Sequence, residues 1–237
     1  MKITYIHHSS FLVELESVYL LFDYTEGTIP GMKREKPLLV LASHRHGDHY
    51  SPVIFDLIKE HGNVRFVLSN DIWRKRLPEE VLPLTDSLKH GETVKYRLEN
   101  GIIRQLTRTP ENQIEDGVIS DACLTIHTYK STDEGVAFLI EAEGKTIYHA
   151  GDLNNWRWEG EPDNWNDSMA KKYSAQIDKM AGMHLDVAFL PLDPRQEDDF
   201  YLGMDEFLHK VDVKHVFPMH CWGDYSVIGK IRALGCS

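Results

Sequence analysis

Residues 41–50 read LASHRHGDHY, so that His44, His46, Asp48 and His49 crowd into a few positions just beyond the apolar run PLLVLA (37–42). A continuous apolar run of this length marks a strand covered on both faces. A solvent turn at its end has no need of so many imidazoles, whereas a metal site does. His44 and His46 are two residues apart, so in extended backbone their side chains leave the chain on the same face. Gly47 permits a bend, after which Asp48 and His49 present a second set of donors. Neutral imidazole and carboxylate suit zinc, with manganese or iron as borderline choices. The loop alone holds too few donors for two ions, so histidine and aspartate from elsewhere must join it.

The surrounding pattern alternates strand and helix. SPVIFDLIKEHG (51–62) opens with Ser51 as N-cap and Pro52 at the first helical position, spaces Ile54, Leu57 and Ile58 helically, and closes at Gly62. VRFVLS (64–69) is a further buried strand, and WRKRLP (73–78) reads as a solvated helical face. Upstream, Ile3, Tyr5, Phe11, Val13 and Leu15 alternate and SVYLLFDY follows, which predicts strands joined by a tight turn. From about residue 81 to 149 the chain is mainly β, with hairpin turns at Asn100-Gly101 and Glu143-Gly144. Residues 163–182 look helical, and LDVAFLPLD, GMDEFLHKVD and HVFPMHC give strand, helix, strand. Each half therefore runs strands first and then alternates strand with helix. One α/β domain spanning 1–237, with two sheets between helices, explains that symmetry.

Bulk properties narrow the function. With 237 residues, 42% hydrophobic and 27% charged, the chain is long enough for one large core and ordinary for a globular protein. It contains no run of about twenty apolar residues, and its first residues lack the plan of a signal peptide. Cysteines 123, 221 and 236 form neither a disulfide framework nor a metal knuckle, which fits a reducing compartment; cytoplasm is the expectation. Cys123 reads as a small core residue, and Cys221 has no visible activating partner. A formal net charge of −11 disfavours nucleic acid as a partner, so a small-molecule substrate is expected and no membrane.

Polar residues recur where apolar runs end: His44 to His49 after LLVLAS, Asp152 after TIYHAG, Asp193 after VAFLPL and His220 after HVFPM. In α/β sheets ligands collect beyond the carboxyl ends of strands, so these residues point to one shared site. His8, in YIHHSSF, is a further candidate for that pocket, while its neighbour His7 should face away.

His44-Arg45-His46-Gly47-Asp48-His49 resembles the H-x-H-x-D-H motif of the metallo-β-lactamase superfamily, and Gly151-Asp152 and His220 match its later metal-binding positions in order. STDEGVAFLIEAEGKTIYHAGDLNNW and PLDPR look like an uncharacterised bacterial branch in the neighbourhood of ascorbate-6-phosphate lactonase-like hydrolases. The resemblance implies a four-layer αββα sandwich of two mixed β-sheets flanked by helices. It also implies two divalent metal ions: His44 and His46 on the first, Asp48, His49 and His220 on the second, and Asp152 between them. The family adds a third histidine to the first ion. Here His127 is the one histidine in that region, and it sits inside a strand-like run. Asp133, in the STDEG loop, is the competing and slightly favoured ligand.

Two such ions roughly 3.5–4 Å apart lower the pKa of a bridging water toward 7. The expected activity is metal-dependent hydrolysis of a small ester, lactone, amide or phosphodiester, with Asp48, Asp152 and His8 as catalytic candidates. The rivals are a metal-dependent nuclease and a non-catalytic metal-dependent binding or sensing protein. Trp156, Trp158 and Trp165 either pack in the core or wall the site. Arg195 either meets a substrate anion or pairs with the acids of QEDD.

Overall fold

The computed structural model describes residues 1–110 and 124–235; Cys123 and Cys236 lie outside them. The first sheet takes β1 (Lys2–His7), β2 (Ser10–Glu14), β3 (Tyr19–Phe22), β4 (Leu38–Ala42), β5 (Val64–Ser69) and β6 (Thr85–Leu88), hydrogen-bonded in that order. Its first three strands pair antiparallel and β3 through β6 run parallel. Every residue of β4 is buried, and the period of two sorts them. Leu39 and Leu41 enter the core shared with the second sheet, while Leu38, Val40 and Ala42 enter an outer cluster with Ile54 and Leu57. Strand β3 divides in the same way, with Leu20 and Phe22 facing inward and Tyr19 and Leu21 outward.

The outer cover of this sheet is thinner than the sequence suggests. Ser51 does cap the segment, its side chain accepting from Val53 N, but Pro52–Asp56 is a 3-10 turn and only α1 (Leu57–His61) is α-helical before Gly62, at φ +91°. WRKRLP also departs from expectation: it forms one 3-10 turn, Arg74–Arg76. Pro78 disfavours helical backbone at Leu77 and stops it, and Lys75 and Arg76 lie over the Trp73 ring.

The second sheet comprises β7 (Glu92–Glu99), β8 (Ile102–Pro110), β9 (Leu124–Lys130), β10 (Val136–Ala142), β11 (Lys145–His149), β13 (Val187–Pro191) and β15 (Val216–Met219). A small parallel pair, β12 (His184–Leu185) with β14 (Asp212–Val213), stands beside it. The sheet's order is β15-β13-β11-β10-β9-β7-β8, with β11, β13 and β15 parallel. Both expected hairpins are present, and their turn residues Asn100-Gly101 and Glu143-Gly144 all have positive φ, the backbone a type I′ turn requires. Helices α2 (Asp163–Ile177), α3 (Leu202–Lys210) and α4 (Ser226–Ala233) contribute Tyr173, Phe207, Val227 and Ile231 to the main core. Phe207 stacks on Tyr148, with centroids 5.0 Å apart. Between the sheets, Phe11 and Phe22 meet Phe189 and His149. The result is the expected four-layer α/β sandwich. Among the described residues no helix is long and apolar enough to cross a membrane.

This topology brings the carboxyl ends of β3, β4, β11, β13 and β15 to one edge of the sandwich. Two polar clips hold the sheets in place away from it. In one, Arg65 donates from Nε and Nη2 to Asp86 at 2.7 and 2.8 Å, and the buried Tyr96 hydroxyl donates to the same carboxylate at 2.8 Å. In the other, Glu143 accepts from the backbone N–H groups of Glu16 and Ser17.

Both clips are testable. Arg65→Met removes the cation from the Asp86 carboxylate and should cost about 3–5 kcal/mol in urea denaturation, with Arg65→Met/Asp86→Leu recovering only part of it because the buried Tyr96 hydroxyl then loses its acceptor. For Glu143, burial acts to raise the pKa, but the Ser17 and Glu16 donors outweigh it and hold it below the ordinary carboxylate value. A depressed folded pKa gives stability that is present above the unfolded value and lost as pH falls through the folded one. Because Glu143 is exposed, Glu143→Gln should cost only about 0.5 kcal/mol at pH 7, and the difference should disappear in acid.

Candidate metal centre

The site is built from the buried carboxylate of Asp23, at the end of β3. Asp23 accepts from Ser43 N, from Ser43 Oγ and from His49 Nδ1, each at 2.7 Å. The Ser43 hydroxyl has one proton and gives it to Asp23, so His44 Nδ1–H must donate to Ser43 Oγ, 3.0 Å away. His220 repeats the device, with Nδ1 3.0 Å from Asp193 at the end of β13. In all three rings an oxygen behind Nδ1 fixes the tautomer and leaves the Nε2 lone pair facing inward.

What those lone pairs face is decisive. His8 Nε2, His49 Nε2, His220 Nε2 and Asp152 Oδ1 are buried without a hydrogen-bond partner among the described residues. Buried acceptors left unpaired are costly, and here they converge. His49 Nε2 lies 3.1 Å and His220 Nε2 3.5 Å from Asp152 Oδ1, while His8 Nε2 and His220 Nε2 lie 3.5 and 3.4 Å from Asp48 Oδ2. Two clusters result, His8 with Asp48, His49 and His220, and His44 with His46, Asp133 and Asp152, the donor atoms of each lying within 4.8 Å of one another. The two oxygens of Asp152 face different clusters, Oδ1 toward His49 and His220 and Oδ2 toward His44 at 3.5 Å. Orphaned imidazole and carboxylate acceptors in this arrangement fit divalent cations.

The electrostatics follow from the same crowding. Burial alone would raise the pKa of Asp152, yet His49 and His220 outweigh it and hold the carboxyl well below its usual range. Asp48 is held low against burial by His220 and His8. Burial, reinforced by His49, pushes His44 down to about 4. His49 and His220 move up despite burial, because Asp152 lies against both. Asp133 moves up, through burial and then the Asp152 charge. The cluster balances its carboxylates with whatever positive charge lies nearest.

All of His44, His46, Asp48, His49, Asp133, Asp152 and His220 thus come together, and His8 joins them. A left-handed backbone at His8, φ +48°, turns its ring inward, while His7 points out to Glu26 at 3.0 Å. His127 stays away, its Nδ1 2.9 Å from the Thr93 hydroxyl. The chain does bend at Gly47, the first inner residue of a turn closed by His46 O, which accepts from His49 N and Tyr50 N. Its φ is outside the left-handed region and a Cβ there would meet nothing within 4 Å, so the bend does not require a glycine.

The glycines that matter are Gly135 and Gly151. At φ +70°, a Cβ on Gly135 would stand 2.0 Å from Ser43 O, and one on Gly151 would stand 2.6 Å from Ser43 Cβ. Gly135 ends the loop that carries Asp133. Thr132 pins that loop, donating to Asn154 O at 2.6 Å and accepting from Asn154 N at 3.0 Å. Arg45 pins it from the other side through a two-pronged bond to Glu134.

Over the donors lies a cavity of about 400 Å³ walled by Trp156, Trp158, Trp165 and Trp222. Trp156 is both wall and support: its Nε1 donates to Asp152 O at 2.8 Å and its ring stacks on Trp158 at 5.8 Å and 4°. Arg195 pairs with Asp193 rather than with QEDD, and its guanidinium lies 4.3 Å over the Trp222 ring. Cys221 is buried with its thiol pushed up to about 11, first by burial and then by Asp193, which disfavours the nucleophilic thiolate. Asp23 was overlooked at the sequence level, although YLLFD ends an apolar run in a carboxylate as the other site segments do.

Gly135→Ala should destabilise the fold by about 3 kcal/mol, through backbone strain and overpacking against Ser43, and should weaken metal binding. Gly47→Ala should stay within about 0.5 kcal/mol of the parent. Thermal denaturation and metal titration of the pair check both.

The chain is 28% identical over 230 residues to a UPF0173 metal-dependent hydrolase of Desulforamulus reducens, covering 93% of this chain and 84% of that one. Among solved structures, the metallo hydrolase Igni18 of Ignicoccus hospitalis superposes with a TM-score of 0.57 at 17% identity, over 99% of this chain and 91% of that chain. CmlA, a diiron β-hydroxylase of Streptomyces venezuelae, superposes at 0.54 and 11% identity over 92% of this chain and 44% of that one. The likeness to these two structures is one of fold. The family model described as the β-lactamase superfamily domain matches residues 2–162. With that match covering more than half of its length, including the HxHxDH segment and Asp152, the chain belongs to the metallo-β-lactamase superfamily.

Proposed function

We propose that this protein is a metal-dependent hydrolase acting on a small ester, lactone, amide or phosphodiester substrate, with two divalent ions held by the two donor clusters. The observation that carries the reading is the convergence of four buried, unpartnered polar atoms on the second cluster, His8, His49 and His220 Nε2 with Asp152 Oδ1, beside a first cluster that the other Asp152 oxygen faces. The hydrolase of Desulforamulus reducens, similar over most of both chains, supports it. His44, His46, Asp133 and Asp152 would hold the first ion, and His8, Asp48, His49 and His220 the second. The ions, when bound, supply Lewis acidity for the substrate oxygen and an acidified water near neutral pH.

The chain's own residues do the rest. Asp152 presents one oxygen to each cluster and so fixes their spacing. Asp48 and Asp152 line the cavity, where their carboxylates orient an attacking water. Asp23, Ser43 and Asp193 hold three rings with Nε2 inward. His8 faces Asp48 among the donors, which favours reading it as a ligand over a leaving-group acid. Asp133 makes the first cluster richer in carboxylate, so manganese or iron compete there with zinc. The net charge of −11 and the aromatic cavity disfavour the nuclease alternative. The cysteine pattern favours the cytoplasm.

Metal analysis of the purified and reloaded chain, paired with a panel of esters, lactones and phosphodiesters, tests this. The expected result is two ions per chain and hydrolysis of at least one class, with Asp152→Ala lowering kcat/KM at least about 10³-fold by removing a group shared by both clusters. Asp193→Asn should weaken metal affinity about 10–100-fold while leaving the ligand set intact. A reloaded chain that holds one ion or none and is inactive on the whole panel overturns the reading.

A further inference from the structure

A second cavity, of about 500 Å³, lies against the donor clusters from another side. Asp48 and Trp222 line both cavities, while His220 lines the first and His8 the second. The Trp222 ring is therefore a partition, packed 4.7 Å from His8 and 5.6 Å from His220. It is held there by left-handed backbone at φ +48°, although about half of it is exposed. Left-handed backbone at a bulky residue is strained and clusters at functional sites.

The two cavities differ in chemistry. The first is bounded by the parallel Trp156–Trp158 pair, with Trp165 and Met169 beside it, a surface that matches a flat apolar group. The second presents the exposed phenols of Tyr5 and Tyr225, whose hydroxyls are 2.9 Å apart, with Thr25 and the His7–Glu26 pair. Its groups are hydroxyl and imidazole donors and acceptors with two carboxylates, which matches a hydroxylated group.

We propose that the substrate is two-armed: a flat apolar or aromatic arm lies on the tryptophan side, a hydroxylated neutral arm lies on the tyrosine side, and the bond between them crosses the Asp48–Trp222 boundary. The location of the cleaved bond rests on the hydrolase reading above; the two binding arms do not. Each arm has a cavity large enough for a small organic group, and joining the arms in one molecule makes their binding cooperative.

Calorimetric titration of the full metal-loaded chain with 1-O-(2-naphthylmethyl)glycerol, an ether that such a hydrolase does not cleave, separates the two readings. The ether should bind at least about tenfold tighter than 2-naphthylmethanol. Tyr225→Ala should reduce the ether to the affinity of 2-naphthylmethanol and leave 2-naphthylmethanol unchanged. Trp158→Ala should weaken both compounds by a similar factor, about tenfold. Equal affinity of the two compounds for the parent chain, or an equal loss of both in Tyr225→Ala, overturns the proposal. Tyr225 is exposed at the surface, so this variant tests it even where Trp158→Ala fails to fold. Because neither compound is turned over, an inactive chain that still shows this pattern overturns the hydrolase reading and leaves the two arms standing.

Discussion

A single buried carboxylate, Asp23, sets the geometry on which the rest of the site depends. Placing an ionised group in a protein interior is tolerable only when each of its oxygens is satisfied. Here Ser43 and His49 satisfy both, and in doing so they tie the end of β3 to the end of β4 and to the loop beyond it. One anion thus fixes a backbone N–H, a hydroxyl and an imidazole together. The hydroxyl passes the constraint on to His44. Two rings of the HxHxDH segment, His44 and His49, are therefore oriented from behind by Asp23, which precedes the whole segment in the chain.

That arrangement explains why the carboxylates and imidazoles remain mutually unsatisfied in front. Oxygens behind Nδ1 fix the rings of His44, His49 and His220, so none of them can rotate to make a better bond with Asp48 or Asp152. Protein-internal pairing is incomplete by construction, and a cation completes it. The same crowding moves His49 and His220 toward the protonated form beside Asp152, while burial and the neighbouring His49 move His44 away from it.

Much of this was legible in the sequence because it is local. The apolar run before His44, the i, i+2 spacing of His44 and His46, and the acids and histidine closing later strands all follow from short-range pattern. The hairpins at Asn100-Gly101 and Glu143-Gly144 were equally local. What escaped depends on contacts between distant segments. Asp23 is an unremarked strand-end residue until β3 is placed beside β4. Gly135 looks like an ordinary hairpin glycine until Ser43 O lies where its side chain would be. Gly47 illustrates the converse: the bend is where the motif puts it, but backbone hydrogen bonds to His46 O make it and a side chain would fit there, so the glycine itself is dispensable. The contest between Asp133 and His127 also needed tertiary structure, since only the pinned 131–135 loop decides which side chain approaches the other donors.

The chain order around His220 bears on how recognition can be altered. His220 and Trp222 are separated by one residue and both stand in left-handed backbone, while Trp156 follows Asp152 by four residues and holds its carbonyl. Two of the cavity's tryptophans are thereby tied to the donors beside them, and replacing either disturbs those donors. Trp158, Trp165, Tyr5 and Tyr225 hold no donor in this way. Substitution at those four positions is the least obstructed way to change the cavity walls while the donor clusters stay as they are.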